Sequence, residues 1–427
     1  MKKVTKLSEL PTKSFCILPW VSTTISPDGN VVPCCLWNGR PERMFAYEHN
    51  LKMPDVSDGL ENARHSEFYQ KIRQMMIDGE RPSGCNVCYK NEDSVEWKNH
   101  EKAYDRIHQR ITQHNRYADK DVTVYKNEPL PLNFLETGIS SLCNFACVMC
   151  DQTSSSIIYG VYNKGVSIPR GFAKSIDNID ADLSSLTLVK ILGGEPMIEK
   201  KHDNLLKKII EQNKNVDKLC LEYHTNVSVF PSQRVIDQWK RLKSVNIIFS
   251  IDSVGKDVKM QRPGKYEWKD IENTVDKYIQ LQSEGVPLIF SANLVLTAIN
   301  IGTITETCDW LYEKLKNTKT GYFNMNRLYI SESMKYIDYR NLSKETKQRI
   351  KDKWKKWEDS KPPVLQNGYH EFSDDFPQIA RLYATAKTSI DEEGTLNEPL
   401  TKELMLEKHP LRKLWKEFKQ NLSGLDI

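Results

Sequence analysis

The sequence predicts an α/β protein: a partial (β/α)6 barrel of the TIM type, a cysteine-rich domain before it and a helical region after it. Two observations support this prediction. Between residues 131 and 330, six short apolar runs alternate with stretches long enough for amphipathic helices, which indicates a parallel sheet with helical crossovers. Eight of the ten cysteines lie in the first 150 residues, and seven of these form three tight groups, which is typical of metal ligation.

Length and composition narrow the class of protein. The chain has 427 residues, of which 39% are hydrophobic and 28% charged, so it is long enough for two or three domains with real cores. Lys and Arg total 61 against 57 Asp and Glu, a balance of +4, and a dedicated nucleic-acid binder is far more basic. No apolar run approaches the length of a membrane span. The N-terminus is charged without an apolar segment, so we expect a cytoplasmic protein with reduced cysteines and neither a membrane nor a nucleic-acid partner.

The first region, residues 1–100, is rich in turns and cysteine. Residues 21–25 and 30–32 flank Asp28-Gly29, a turn pair that predicts a β-hairpin. Residues 60–77 have helical spacing and end near Gly79. Residues 101–130 are polar, and we expect a helix and a linker there.

The second region, residues 131–330, is the predicted barrel. The six expected strands are Leu132–Leu135, Leu186–Leu192, Lys218–Tyr223, Asn246–Ile251, Leu288–Leu296 and Tyr322–Leu328. We expect helices over 201–213, 266–283 and 302–316 between them. Residues 331–427 contain charged helical stretches at 341–359 and 399–421 and no clear strand pattern.

The clearest chemical signal is a loop just after the first barrel strand. Cys143, Cys147 and Cys150 have the spacing C-x3-C-x2-C. Thiolates are soft ligands that suit zinc or iron–sulfur clusters. Three of them in one loop can hold three irons of a cubane and leave the fourth iron open for a substrate or cofactor. The alternative is a structural zinc loop completed by a distant ligand, although zinc sites usually use C-x2-C pairs.

This loop resembles that of radical S-adenosylmethionine (radical SAM) enzymes. The second strand is followed by Gly193-Gly194-Glu195-Pro196, which is similar to that family's GGEP motif, whose backbone binds the SAM amino group and whose glycines allow close approach. Further positions at the strand ends resemble the family's contacts to the ribose and carboxylate of SAM: Thr225, Asn226, Ser250, Asp252, Arg262 and Asn293. The residue before the last cysteine is often aromatic in the family and lies near adenine, and here it is Met149. Taken one by one, these positions also fit ordinary turn and cap chemistry.

The resemblance implies a mechanism and its cofactors. The three cysteines would hold a [4Fe-4S] cluster, and SAM would chelate its open iron. One electron from a low-potential donor such as flavodoxin or ferredoxin would cleave SAM to methionine and a 5'-deoxyadenosyl radical, which abstracts hydrogen from the substrate. The residues that would act on the substrate itself stay unknown.

A second set of cysteines lies at the N-terminus. Cys16 and Cys34 have the spacing C-x12-G-x4-C, and Cys85 and Cys88 form a C-x2-C pair. The pattern resembles the SPASM or twitch auxiliary-cluster domains of radical SAM proteins, here placed before the barrel. The resemblance implies a second [4Fe-4S] cluster with no open iron. A zinc ribbon is the alternative, and Cys35 is an alternative ligand to Cys34.

Two classes of function therefore remain open from the sequence. The first is a radical SAM enzyme with an auxiliary cluster, acting on a peptide or protein or on a small molecule such as an aminosugar. The second is a non-catalytic metal-binding scaffold. The Gly-Gly-Glu-Pro element favours the enzyme, because a structural metal site has no need of it.

Overall fold

The computed structural model describes residues 3–26, 29–37, 40–93, 110–117, 128–163, 179–327, 334–360 and 377–409. Within these ranges one eight-stranded sheet organises the chain, in the spatial order β2-β1-β3-β4-β5-β6-β7-β8. The strands are β1 (Ser22–Ile25), β2 (Val31–Val32), β3 (Phe134–Gly138), β4 (Leu188–Leu192), β5 (Cys220–Thr225), β6 (Ser244–Phe249), β7 (Leu288–Leu296) and β8 (Thr320–Arg327). Only β1 and β2 pair antiparallel, and every other neighbouring pair is parallel.

The six strands predicted for the barrel are all present, from β3 to β8, so the predicted α/β class is confirmed. Helices His202–Gln212, Gln233–Trp239, Trp268–Ser283 and Ile304–Leu315 alternate with them. These helices bury apolar side chains against one face of the sheet. For example, Tyr223 of β5 receives contacts from His202 and Trp239 of the first two helices. Such β-then-α repetition keeps the strands parallel and their carboxyl ends on one edge.

The sheet is curved, and its concave face is the one opposite these helices. Tyr322 of β8 is close enough to Glu136 of β3 for their charges to interact. The two strands are five positions apart, which in a flat sheet is about 24 Å and far beyond the screening length of charges in salt solution. The face that carries both side chains is therefore concave, as in a partial barrel.

The N-terminal hairpin joins this same sheet. The predicted turn residues 27–28 lie outside the described residues, but β1 and β2 flank them as expected. β1 then pairs in parallel with β3, with Ser22 opposite Phe134 and Ile25 opposite Thr137. The hairpin thus extends the barrel sheet by two strands instead of standing apart from it.

The remaining N-terminal helices are Leu18–Val21, Arg40–Glu48, Leu60–His65, Glu67–Asp78 and Asn86–Asp93. The single helix expected over residues 60–77 is in fact two. Ser66 is extended (φ −60°, ψ 155°) and its hydroxyl accepts from Tyr69 N, so it caps the second helix. Gly79 ends that helix in the left-handed conformation, as its place in the sequence indicated.

The described part of the expected linker packs on the N-terminal region. Residues 110–116 are helical, and Arg110, His114 and Tyr117 are buried. Asn115 exchanges hydrogen bonds of 2.8 Å with both backbone groups of Val4. This short helix is therefore a structural part of the cysteine-rich region.

The C-terminal helices are Lys344–Asp359, Pro377–Ser389 and Lys402–Lys408, in agreement with the helical stretches expected at 341–359 and at the start of 399–421. Residues 410–421 of the second stretch lie outside the described residues. Helix Pro377–Ser389 packs against β8 and against helix Ile304–Leu315. Tyr383 of this helix also contacts Trp354 and Trp357. This region therefore covers the outer side of the last βα unit.

Candidate functional site

The loop of residues 143–150 lies at the carboxyl edge of the parallel strands. It follows β3, and Gly193, Asn226 and Ser250 directly follow β4, β5 and β6. Carboxyl edges of parallel strands are the usual place for ligand sites in α/β folds. The fold thus brings the predicted cysteine loop and the predicted cofactor-contacting residues to one edge of the sheet.

Backbone bonds fix the cysteine loop to the segment after helix Val258–Gln261. Ala146 N donates to Pro263 O at 2.8 Å, and Val148 N donates to Gln261 O at 2.9 Å. Phe145 stacks on Tyr266 with ring centroids 4.3 Å apart and planes inclined by 18°. These backbone hydrogen bonds and the ring contact fix the conformation of the loop that carries the three cysteines.

The two glycines after β4 lie against the start of this loop. Gly194 N donates to Ser140 O at 2.7 Å, and Glu195 N donates to Leu142 O at 2.8 Å. A Cβ atom on Gly194 would lie under 3.0 Å from Leu142 O, and one on Gly193 would lie equally close to Ser140 O. Gly193 also has a φ of +127°, which favours glycine. The two glycines thus allow the backbone that leads into the cysteine loop to pack directly against the backbone after β4.

Glu195 is the buried centre of a hydrogen-bond network. Its side chain accepts from Thr225 Oγ1 at 2.9 Å, from Asn226 N at 2.7 Å and from Met197 N at 3.2 Å. Burial raises the pKa of Glu195 to about 7, although these three donors oppose the rise. Glu195 therefore orders the turn after β5, and Pro196 begins the short helix that follows it.

Asn226 and Arg262 connect the strand ends to the cysteines. Asn226 Nδ2 donates to Asn144 Oδ1 at 3.0 Å and lies 3.9 Å from Cys143 Sγ. Arg262 donates through Nη1 to Cys147 Sγ at 3.4 Å and through Nε to Asp252 Oδ2 at 2.5 Å. Two predicted cofactor-contacting residues thus touch the sulfur atoms that the sequence assigned to a cluster.

The other predicted residues are placed less centrally. Asp252 is fully buried and also accepts a hydrogen bond from Val295 N at 2.8 Å. It therefore fixes both β7 and the side chain of Arg262. Ser250 N donates to Thr225 O, which links two strand ends. Asn293 accepts from Asn326 Nδ2 at 2.7 Å on the concave face, and Met149 is half-buried against the core.

The three loop cysteines lie close together, with Cys147 buried and Cys143 and Cys150 half-buried. Burial, together with the neighbouring Cys147, raises the pKa of Cys143 to about 12. Burial likewise raises the pKa of Cys150 well above its usual value, with contributions from Cys147 and Cys143. Without a metal these groups stay protonated at neutral pH, so binding of iron must release protons.

The N-terminal cysteines also converge, although they come from three separate segments. Burial raises the pKa of Cys34 well above its usual value, and so do the charges of its neighbour Cys35 and of Cys85, Cys16 and Cys88. Cys35 is exposed and donates a hydrogen bond to Glu136, whereas Cys34 faces the other three thiols. This arrangement favours Cys34 over Cys35 as the fourth member of the set.

Among the residues that the structure describes, no three Cys, His, Asp or Glu side chains form a group that could hold one metal ion. In an iron–sulfur cluster each thiolate binds a different iron, so the ligand sulfurs lie farther apart than around one ion. Around the N-terminal set, Trp37 Nε1 and Arg110 Nε are buried donors without a hydrogen-bond partner. The sulfur atoms of a cluster are suitable acceptors for such donors.

The concave face carries charged side chains that the sequence analysis did not single out. Glu136, Lys190, Glu222 and Asn246 lie opposite one another on β3 to β6. Lys190 Nζ is 3.2 Å from Glu222 Oε2, and burial raises the pKa of Glu136. Barrel interiors are normally filled by branched apolar residues. Polar residues at alternate positions of otherwise apolar strands were the signal that could have revealed this polar face.

Comparisons with known proteins agree with this geometry. The SPASM family, an iron-sulfur cluster-binding domain, matches residues 16–89, and the Radical SAM superfamily matches residues 138–311. GTP 3',8-cyclases from Desulforamulus reducens and Campylobacter lari are 28% and 25% identical over 37% and 35% of the chain. The matches cover 46% and 44% of those proteins, so the chain spans about half the length of the curated relatives it matches.

Solved structures of similar proteins include anSMEcpe with bound AdoMet and the Cp18Cys peptide. It is 16% identical with a TM-score of 0.36, covering 54% of this chain and 60% of that one. Streptococcus suis SuiB is 14% identical with a TM-score of 0.34, covering 67% and 61%.

No helix in the described parts of the chain is long and apolar enough to cross a membrane. The two domain families imply a SAM-binding [4Fe-4S] cluster, SAM and an auxiliary iron–sulfur cluster as cofactors. Residues 138–311 thus form a radical SAM domain, and residues 16–89, on its N-terminal side, form a SPASM-type iron–sulfur cluster-binding domain.

Proposed function

We propose that Cys143, Cys147 and Cys150 bind the SAM cluster and that Cys16, Cys34, Cys85 and Cys88 bind the auxiliary [4Fe-4S] cluster. The main support is the position of the cysteine loop, pressed against Gly193 and Gly194 at the carboxyl edge of the sheet. The mutual proximity of the thiols within each set supports the division into two sites.

The residues around the loop would hold SAM and the cluster together. We assign this role to Gly193, Gly194, Glu195, Pro196, Thr225, Asn226, Ser250, Asp252, Arg262, Asn293 and Met149. Arg262 places a positive charge on Cys147 and is itself fixed by Asp252, so it would stabilise the thiolate form of that ligand. Glu195 would act through Asn226, whose backbone it holds. Most of the set therefore positions the loop, and only part of it would touch SAM.

When bound, the SAM cluster supplies reductive cleavage of SAM and the radical that abstracts hydrogen from the substrate. The chain's own contribution would be to hold the substrate on the concave face below the loop. A low-potential one-electron donor such as flavodoxin or ferredoxin would act with it. The cytoplasmic location expected from the sequence stays a prediction.

The substrate we infer is a peptide or protein. The concave face carries two glutamates against one lysine, and that lysine is already paired with Glu222. Glu136 Oε1 and Asn246 Oδ1 are buried acceptors without a partner, so they suit a substrate that brings N–H or O–H donors. Amides and amines of a peptide meet this need, whereas a nucleoside triphosphate would bring more negative charge to carboxylates.

A small molecule is the second candidate, because the curated relatives are named GTP 3',8-cyclase. An aminosugar would also present hydroxyl and amine donors to Glu136 and Asn246. A non-catalytic scaffold is the remaining alternative from the sequence, and it predicts no SAM cleavage at all.

The test uses anaerobically reconstituted holoenzyme with dithionite and SAM. Formation of 5'-deoxyadenosine is measured by mass spectrometry in the presence of a short-peptide library, of GTP or of glucosamine. We expect the peptides to stimulate cleavage most, and we expect Glu136→Gln to lose that stimulation while keeping cleavage without substrate. Glu211→Gln, in an exposed pair with Lys207, is the matched control. Stimulation by GTP or glucosamine alone would overturn the peptide assignment.

A further inference from the structure

A buried arginine stands beside the N-terminal cysteines. Arg110, on the short helix that the sequence placed in a linker, is 7% exposed. Its Nη1 donates to Glu92 Oε2 at 2.5 Å, and its Nη2 donates to Phe15 O at 2.6 Å and to Lys13 O at 3.0 Å. Three protein atoms thus fix the guanidinium next to the backbone that leads into Cys16.

The charge of Arg110 acts on the thiols of this set. The pKa of Cys85 is raised by burial and by Cys16 and Cys88, and Arg110 opposes that rise. The pKa of Arg110 is lowered by burial, but Glu92 and Cys16 outweigh this and raise it above its usual value. The guanidinium is therefore always charged and is coupled to two of the four proposed ligands.

One N–H group of Arg110 has no acceptor. Its Nε is buried and has no hydrogen-bond partner, although both of its terminal nitrogens are bonded. A buried N–H of a charged group without an acceptor is costly, so an acceptor is expected there when the site is complete. A cluster sulfide or a ligand thiolate is the acceptor that the neighbouring cysteines would bring.

We propose that Arg110 raises the reduction potential of the auxiliary cluster, and that Glu92 limits this effect. The proposal rests on the assignment of Cys16, Cys34, Cys85 and Cys88 to that cluster. Reduction adds one negative charge to the cluster, so a fixed positive charge and an N–H donor favour the reduced form. A buried carboxylate at the same place acts in the opposite direction.

This gives the arginine a role in the proposed reaction. A substrate radical that passes one electron to an acceptor and releases one proton to water yields an oxidised, closed-shell product. The electron needs an acceptor, and the oxidised auxiliary cluster is the one at hand. A higher potential makes that acceptance more favourable, so Arg110 would help to draw the electron from the substrate radical.

The experiment is a redox titration of the reconstituted holoenzyme, followed by electron paramagnetic resonance of the auxiliary cluster. Arg110→Gln is expected to lower the midpoint potential by at least 59 mV, which is a tenfold change in the ratio of reduced to oxidised cluster. Glu92→Gln is expected to shift it upward. Arg81→Gln removes an arginine from an exposed pair with Asp93 and should leave the midpoint unchanged.

The opposite signs of the two midpoint-potential shifts distinguish an electrostatic role of Arg110 from a merely structural one. Loss of packing would change the iron content of both variants and would not move their potentials in opposite directions. If Arg110→Gln does not retain the cluster, the sign of the Glu92→Gln shift decides. No shift, or a downward shift, in Glu92→Gln would overturn the proposal. Wild-type protein with a single cluster signal would instead overturn the assignment on which it rests.

Discussion

The two cysteine sites both gather cysteines beside an arginine, but different interactions hold the cysteines in place. In both, the cysteines are partly or fully buried and an arginine paired with a carboxylate lies beside them: Arg262 with Asp252, and Arg110 with Glu92. The loop proposed to bind the SAM cluster carries its three cysteines within eight residues and is fixed mainly by backbone hydrogen bonds.

The N-terminal set gathers four cysteines from three segments and depends on side chains to hold them. Tyr89 OH donates to Ser14 O at 3.0 Å, and the ring of Trp37 packs over Gly84, next to Cys85. The difference suggests that the loop is a local unit that tolerates changes elsewhere, whereas the N-terminal site needs the whole domain to be folded.

The largest expected effect comes from removing the loop thiols. Replacing Cys143, Cys147 and Cys150 together by Ala should abolish formation of 5'-deoxyadenosine, because no ligand for the SAM cluster remains. The N-terminal iron should stay, since its ligands lie in another part of the fold. Iron analysis and mass spectrometry measure both results, with Cys220→Ala as the control. SAM cleavage by the triple variant would show that the assignment is wrong.

The second prediction concerns removal of ligands from the N-terminal site. Wild-type protein reconstituted without oxygen should hold about eight irons, the sum of two [4Fe-4S] clusters. Cys85→Ala with Cys88→Ala should remove about half of them and leave SAM cleavage without substrate intact. Four irons and one tightly bound zinc in the wild-type protein would instead favour the zinc ribbon.

A smaller change tests the backbone contact at the loop. In Gly194→Ala the new Cβ would meet Leu142 O at under 3.0 Å, and a backbone atom cannot move aside easily. We expect overpacking of about 1–3 kcal/mol and at least a tenfold loss of SAM cleavage. Gly302→Ala is the control, because its Cβ would have only an ordinary contact with Ile350. Equal activity of the two variants would argue against a tight fit.

The smallest expected effect is the matching change in the N-terminal site. In Gly84→Ala the Cβ would overlap the ring of Trp37, which packs against Phe45 and Phe68 within the N-terminal region and far from the SAM-cleavage loop in sequence. We expect lower occupancy of the auxiliary cluster, measured by iron content and absorbance, with cleavage of SAM unchanged. A loss of SAM cleavage in this variant would mean that the two sites are not independent.

The sequence revealed the first site better than the second for a physical reason. Cys143, Cys147 and Cys150 are close in sequence, so their spacing alone indicates a common ligand. Gly193 and Gly194 were also identified, although the structure shows that they accommodate the loop backbone. The six barrel strands were predicted because short, mostly apolar runs alternate with stretches long enough for helices.

What the sequence did not reveal depends on long-range contacts. Arg110 lies in a polar stretch with no local pattern, and only the fold places it beside Cys16. Glu136, Lys190 and Glu222 look like ordinary strand residues until the register sets them side by side. The joining of β1 to β3 was equally invisible, since no local signal specifies a pairing across more than 100 residues.

The central claim is that one of two clusters, and only one, has an open iron for SAM. The most direct measurement is electron paramagnetic resonance of the dithionite-reduced wild-type protein and of the Cys85→Ala, Cys88→Ala variant, each with and without SAM. We predict two signals in the wild type, of which SAM shifts one, and a single signal in the variant that SAM still shifts. A variant whose remaining signal does not respond to SAM, or a wild type in which SAM shifts both signals, would contradict the account.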